Sequence, residues 1–353
     1  MLWRAGWFVW LFVLLGLLPR GLAAELSVTV LSIGQGDAIL VVSPTGKTVL
    51  IDGGPPGSGP RIVSALGQRR AAALDMVVLS HPHLDHLGGL PEVLDTVPVR
   101  LFLDAGYPVP SPAYRELLLR LAAHNVPVKN ARAGRNIDLG DGATLTLLGP
   151  GEPFLQGTRS DVNANSIVAR LSWRGQSALL TGDAEPETEQ HLLGLPNGPA
   201  ALRASLLKVA HHGGRYSSTE PFLRAVSPRL AFVSAGTGND YGHPSPETLL
   251  RLAGVGAVVY RTDVSGHLTA RSLDGGPWQV QTQAVESAPR SESPPSPKHG
   301  EAEAAYVGSV HSPVFHKASC PTVKRIFPAN RRVFPNRAMA LKSGRQPSGD
   351  CQP

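Results

Sequence analysis

The apolar run Met76–Leu79, followed at once by His81, His83, Asp85 and His86, constrains this chain more than any other stretch. An apolar run ending in such an array reads as a buried strand that delivers ligands into a short turn. Imidazole and carboxylate are the ligands zinc prefers, and four of them so close in sequence are too many for one ion to use from one loop. The economical reading is two ions sharing the loop, with His81 and His83 facing one and Asp85 and His86 the other. Gly88 and Gly89 let the backbone turn tightly behind them. A solvated histidine-rich turn is the bland alternative, and the parts found downstream speak against it.

The chain has 353 residues, enough for a large core, and the length suggests two domains. Few charges with much Gly and Pro suit a loop-rich α/β protein rather than a helical bundle. Two cysteines do not make a disulfide framework. Residues 1–24 read as a signal peptide: Arg4 is the positive start, Gly6–Leu18 the apolar stretch, and Gly21–Ala24 the small-residue cleavage site. The expectation is an extracytoplasmic protein, secreted or periplasmic, and membrane-anchored if the segment is not cleaved. The formal charge is +6, but residues 306–353 hold eight Lys or Arg against Asp350 alone, which is +7 and leaves −1 for residues 1–305. The basic character belongs to the tail, where polyanion contact, solubility and cell-surface association are all open.

Along the chain, Leu26–Leu31, Ala38–Val42 and Thr48–Ile51 read as consecutive antiparallel strands around the turn Gly34–Asp37. Asp75–Leu79, Val99–Asp104, Val126–Val128, Asn136–Leu139 and Thr144–Leu148 follow as strands. Helices are expected over Arg61–Arg70, Pro91–Leu94 and Tyr114–Ala123. A second half repeats the alternation: a hairpin Ser166–Trp173 and Ser177–Thr181 ending at Asp183, a strand Leu206–Ala210 leading into His211 and His212, a strand Leu230–Ser234, and strands Val258–Arg261 and Gly266–Arg271. Helices are expected over Pro186–Leu193, Pro221–Val226 and Pro246–Ala253. Ligand candidates at strand ends with helices between fit two sheets packed face to face with helices outside. Residues 284–305 are rich in Pro, Ser and Glu and read as a disordered linker, which divides a hydrolase domain at 25–283 from a basic module at 306–353.

SIGQGDAIL, LIDGG, LSHPHLDHLGGL, NANSIVARL, LLTGDAEPETE, LLKVAHHGG, YGHPSPE and YRTDVSGH together resemble the metallo-β-lactamase superfamily. The resemblance is to its ComEC/Rec2-like branch, the hydrolase domain of DNA-uptake proteins and its free-standing secreted relatives. It covers about residues 26–272 and implies an α/β fold, the αββα sandwich of two packed mixed sheets with outer helices. By the same resemblance the metal ligands are His81, His83, Asp85, His86, Asp183, His211 and His243, with Asp183 bridging and His243 in the second site. The superfamily's usual His before the TGD strand is missing; Asp161, Asn163 and Asn165 stand there, and His211 takes its place. Asp85, Asp183 and His212 are the candidate catalytic residues, His212 as a phosphate contact or proton donor. Gly214 stands where relatives usually have Ser, and Ser32 where they often have Asp. Asp52 supports the ligand loop; Asp37 either orients a ligating His or caps its turn; Lys208 could reach a phosphate but reads rather as a solvated lysine at a strand end.

The tail resembles the metal-binding module of the Ada DNA-repair proteins. Three of its ligand positions are covered by His316, Cys320 and Cys351, with Ser348 in place of the fourth and His311 or water to complete the set. A Cys320–Cys351 disulfide is the rival reading. Either staples a module too small to rely on its core. Phe315, Phe327 and Phe334 suit either nucleic-acid contact or that core.

The expected function is a secreted binuclear hydrolase using two divalent ions, zinc first and manganese second, with one further zinc possible in the tail module. The expected reaction is cleavage of a phosphodiester, DNA foremost, by a metal-bridged hydroxide. The alternatives are another ester, an amide or a cyclic dinucleotide as substrate, or a non-catalytic DNA-binding surface protein. Nucleic acid is the expected partner, membrane or cell-surface association is open, and no protein partner is evident.

Overall fold

The computed structural model describes residues 23–69, 71–283, 306–309, 314–325, 331–334, 336–343 and 345–349. All of the expected signal segment but Ala23 and Ala24, the linker 284–305, His311, Phe327 and Cys351 lie outside the described residues.

Alternation decides the layering. Along Glu25–Val30, Ile39–Val42, Thr48–Ile51 and Met76–Leu79, successive side chains face opposite sides of a sheet. Leu26, Val28, Val30, Val41, Ile51 and Val78 join Leu145, Leu171, Trp173 and Leu180 in a core between two sheets. Leu40, Leu50, Val77 and Leu79 face the other way, onto helices Gly59–Gln68, Leu90–Thr96 and Pro112–Ala123. Both faces are buried, which is why these strands read as near-continuous apolar runs.

The first sheet runs, in spatial order, Gln279–Gln283, His267–Leu273, Glu25–Val30, Ile39–Val42, Thr48–Ile51, Met76–Leu79, Phe102–Asp104 and Val128–Asn130. It is antiparallel as far as Thr48–Ile51 and parallel beyond. The second runs Val258–Arg261, Leu230–Val233, Leu206–Lys208, Gln176–Leu180, Ala169–Trp173, Ala143–Leu147 and Asn136–Gly140. Its first four strands are parallel and the rest antiparallel. Helices Pro186–Gly194, Glu220–Val226 and Pro246–Gly254 cover its outer face through Leu192, Phe222, Leu223, Val226 and Leu252. This is the expected αββα sandwich. Ligand-bearing turns follow the carboxyl ends of parallel strands, where open α/β sheets leave a crevice.

Several short elements depart from the sequence expectation, among them helices Gly198–Leu202 and Thr262–Ser265. The expected metal turn is a short helix, Leu84–Leu87. Asp161–Ala164 is another, begun by Ser160, whose hydroxyl accepts from the Asn163 N–H. The edge strand Gln279–Gln283 has no apolar run because nearly all of it is exposed; its only cue is pairing with His267–Leu273.

The tail module has its own four-stranded sheet, in the order Arg331–Phe334, Tyr306–Ser309, Val314–Lys317, Gln346–Pro347. Phe315 and Phe334 are buried with Ala340, so both belong to its core rather than to a stacking surface. Cys320 is disulfide-bonded, with its Sγ 4.0 Å from His316 Nδ1. A disulfide sulfur is not the thiolate that zinc binds, so the staple here is covalent.

Candidate metal centre

His81, His83, Asp85, His86, Asp183, His211 and His212 converge where the two sheets meet, from turns far apart in sequence. Asp183 stands between two groups. Its Oδ1 lies 3.3 Å from His86 Nε2 and 3.5 Å from His212 Nε2. Its Oδ2 lies 3.9 Å from His81 Nε2 and 3.7 Å from His211 Nε2. Asp85 Oδ2 joins the first group, 3.3 Å from His212 Nε2 and 3.8 Å from His86 Nε2. His83 Nδ1 joins the second, 3.0 Å from His81 Nε2.

Local folding explains the convergence. Gly182 of the TGD turn has φ +50, and a Cβ there would come within 2.9 Å of the Ser80 side chain. A glycine thus lets Asp183 settle against the histidine loop. His211 and His212 both adopt left-handed backbone, φ 50 and 54, in a 3₁₀ turn. Non-glycine residues hold such angles only where the surroundings over-determine them, each at about 1–3 kcal/mol. The turn splays the two rings apart, His211 toward Asp183 Oδ2 and His212 toward Oδ1.

Other partners aim the rings. Asp52 accepts from the Ser80 N–H at 2.7 Å and the Ser80 hydroxyl at 2.7 Å, and its Oδ2 is 2.8 Å from His86 Nδ1. That fixes the proton of His86 on Nδ1 and turns Nε2 inward. His212 Nδ1 donates to the Ser234 carbonyl at 3.1 Å. Glu185 Oε1 lies 3.1 Å from His211 Nδ1 and accepts from Asn163 Nδ2 at 3.2 Å. Glu185 is absent from the sequence reading; its signal was its place two residues after Asp183. Asn165 bonds the Leu155 and Asp161 backbone and Asp161 closes its own turn, so neither acts on the centre as a ligand.

His86 Nε2, Asp183 Oδ1 and His212 Nε2 are buried with no hydrogen-bond partner, and they face one another. Each such orphan costs about 1–3 kcal/mol, so three aimed at one point call for a cation. The atoms of Asp85, His86, Asp183 and His212 all lie within 4.8 Å of one another. The donors are imidazole and carboxylate, the set that divalent transition metals prefer. The residues fit a binuclear centre, one ion on each side of Asp183.

His243, like His81, His83 and His211, stands outside that four-residue set, and its Nδ1 is also buried with no hydrogen-bond partner. The His243 ring is 5.6 Å from His211 and 6.3 Å from His212, with Tyr241 stacked on its far side at 5.7 Å. A Cβ on Gly214 would lie 3.3 Å from His243 Nε2.

Electrostatics follow from the crowding. Burial opposes ionising Asp183, but the imidazoles of His212, His86 and His211 outweigh it and hold the carboxyl well below its usual range. Burial likewise disfavours a proton on His212, yet Asp183 and Asp37 lift it to about 9. His86 moves up for the same reason, through Asp183 and Asp52. Burial, with His212 and His211 nearby, lowers His243 to about 4. A proton and a metal ion compete for the same imidazole lone pair, so loading this centre releases protons.

Lys208 is not the solvated lysine the sequence suggested. It is 1 % exposed, its Nζ 2.6 Å from Asp37 Oδ2.

Residues 31–237 match the metallo-beta-lactamase superfamily. ComE operon protein 3 of Bacillus subtilis (strain 168) is 30% identical over 269 residues, covering 71% of this chain and 33% of that protein. Competence protein ComA of Neisseria gonorrhoeae is 31% identical over 244 residues, covering 69% of this chain and 32% of that one. Recombination protein 2 of Haemophilus influenzae is 30% identical over 248 residues, 68% of this chain and 28% of its own length. The chain thus spans about a third of the length of these relatives. It belongs to the metallo-β-lactamase superfamily, whose members are generally metal-dependent hydrolases, and is a ComEC/Rec2-like member of it.

Proposed function

We propose that the chain is an extracytoplasmic phosphodiesterase acting on DNA, with the binuclear centre as its active site. The observation that carries the hydrolase reading is the convergence of Asp85, His86, Asp183 and His212 on partnerless, inward-facing atoms. Two divalent ions, zinc or manganese, supply Lewis acidity and an activated water when bound. His81, His83 and His211 would hold one and Asp85, His86 and His212 the other, with Asp183 between the two groups. The phosphodiester preference draws on similarity to competence and recombination proteins. It also draws on chemistry, since phosphate oxygens are hard ligands for such ions.

Residues at the rim suit a nucleic-acid strand. Tyr241 is 71% exposed and extends the His243 ring stack outward. The Arg159 guanidinium lies 3.7 Å over the exposed Tyr216 ring. Exposed aromatics beside a cation form a surface on which bases stack and phosphates pair. His243, neutral at pH 7, sits between this rim and the centre, where it can hydrogen-bond a phosphate oxygen or the leaving group. The basic tail module is a second contact for the polymer. The disulfide at Cys320 supports an oxidising compartment, in keeping with a signal segment at residues 1–24.

The test is hydrolysis of single- and double-stranded DNA with zinc or manganese, for the wild type and Asp183→Asn. Metal-dependent cleavage abolished in Asp183→Asn is the expected result. Turnover of other esters or amides with no cleavage of any nucleic acid refutes the nuclease reading and leaves the hydrolase.

A further inference from the structure

Lys208 is buried in a place where an ammonium group is rarely found without a partner. It ends the strand Leu206–Lys208 of the second sheet; its Nζ is 2.6 Å from Asp37 Oδ2 and donates to the Val209 carbonyl at 3.0 Å. Asp37 is fully buried and comes from the turn between Glu25–Val30 and Ile39–Val42 of the first sheet. The pair therefore crosses from one sheet to the other beneath the metal centre.

Its surroundings tie both halves of the centre to it. The Asp37 N–H donates to the Asp85 carbonyl at 3.2 Å, and the Asp37 carbonyl accepts from the Gly54 N–H at 2.7 Å. One residue earlier, the Gly36 carbonyl accepts from the Ser234 hydroxyl at 2.6 Å. The carbonyl of the same Ser234 accepts the His212 Nδ1 proton, and Asp37 Oδ1 stands 3.3 Å from that nitrogen. With the Ser234 carbonyl and Asp37 Oδ1 on its Nδ1 side, the ring is turned so that Nε2 faces Asp85 and Asp183, where a cation can displace its proton. Asp37 also gathers with Asp52 and His86 within 4.8 Å, and Lys208 is the positive charge beside that acidic set. Without it the Asp37 carboxylate would be buried beside Asp52 with only imidazoles to balance it, and the left-handed His211–His212 turn would lose its anchor.

We infer that Lys208 and Asp37 are positioning residues: their ion pair holds the His212 ring with Nε2 facing Asp85 and Asp183, and so sets the affinity of that half of the binuclear centre. This rests on the reading that Asp85, His86, Asp183 and His212 hold a cation. A pair that only stabilised the fold would affect both ions alike. A positioning pair acts on the ion that His212 serves.

Cobalt(II) titration of the metal-free full chain, read by its visible absorption and by competition with a chromophoric chelator, distinguishes these roles. The wild type takes up two ions. Lys208→Met keeps the first at wild-type affinity and weakens the second about tenfold or more. Asp37→Asn alone shows the same selective loss, which answers the question even where Lys208→Met does not fold. The paired variant Asp37→Asn/Lys208→Met loses no more than either single variant, since each already breaks the same ion pair. Wild-type affinity for the second ion in either single variant overturns the inference, as does equal weakening of both ions or summed losses in the paired variant. A wild type that binds no cobalt sinks the metal reading itself.

Discussion

Glu189 offers a contest between burial and hydrogen bonding whose outcome can be measured. It lies on helix Pro186–Gly194 with no exposed surface. Its carboxyl group accepts from the Ser218 and Thr219 N–H groups and the Thr219 hydroxyl, tying this helix to the start of Glu220–Val226. Those bonds favour the ionised form, but burial outweighs them and raises the carboxyl from 4.5 to about 7. The folded state thus holds this proton more tightly than the unfolded chain does. Its stabilising share is whole below about pH 4.5 and is lost as pH rises through about 7. Each tenfold gain in proton affinity on folding is worth about 1.4 kcal/mol, so the loss between pH 5 and pH 8 is about 2.5 kcal/mol. Glu189→Gln fixes the neutral form at every pH. Urea denaturation of both metal-free proteins, followed by fluorescence of the buried Trp173, gives the difference directly. The variant is expected to match the wild type within about 1 kcal/mol at pH 5 and to exceed it by about 3 kcal/mol at pH 8. A variant less stable by the same amount at both pH values refutes the reasoning and shows that hydrogen bonding wins.

Three other outcomes follow from named contacts. Gly36→Ala puts a Cβ 2.1 Å from the Asp85 carbonyl oxygen at φ +141, and backbone cannot yield as a side chain tip can; a stability loss of about 3 kcal/mol by urea titration is expected, with weaker metal binding. Removing metal with a chelator leaves the inward atoms of His86, Asp183 and His212 facing one another, so the melting temperature falls and returns on adding zinc or manganese. Tyr241→Ala removes the outer ring of the His243 stack without touching the cation-facing atoms, so KM for single-stranded DNA rises severalfold while kcat changes little.

Much of the centre was legible because its chemistry is written as short motifs at strand ends. The spacing His81, His83, Asp85, His86 and the later Asp183 mark a cluster whatever the loops do, and the structure brings these side chains together. The place of His212 beside Asp183 Oδ1 was not legible. It depends on two consecutive left-handed residues at His211 and His212, which β-branched or aliphatic neighbours do not announce. Lys208 read as solvated because a lysine at a strand end usually is; its burial requires Asp37, 171 positions away in sequence, to arrive from the other sheet. Glu185 and Ser234 were overlooked for the same reason, since each acts through hydrogen-bond contacts that only the packed sheets create. The edge strand Gln279–Gln283 escaped because an exposed strand needs no apolar pattern.

The central claim is that side chains from separate turns jointly hold two cations around Asp183. Anomalous X-ray diffraction from crystals grown with zinc or manganese tests it most directly. One ion is expected among His81, His83, His211 and Asp183 Oδ2, and a second among Asp85, His86, His212 and Asp183 Oδ1. Anomalous density absent from both positions, or an ion bound with His212 turned away from Asp183, contradicts it.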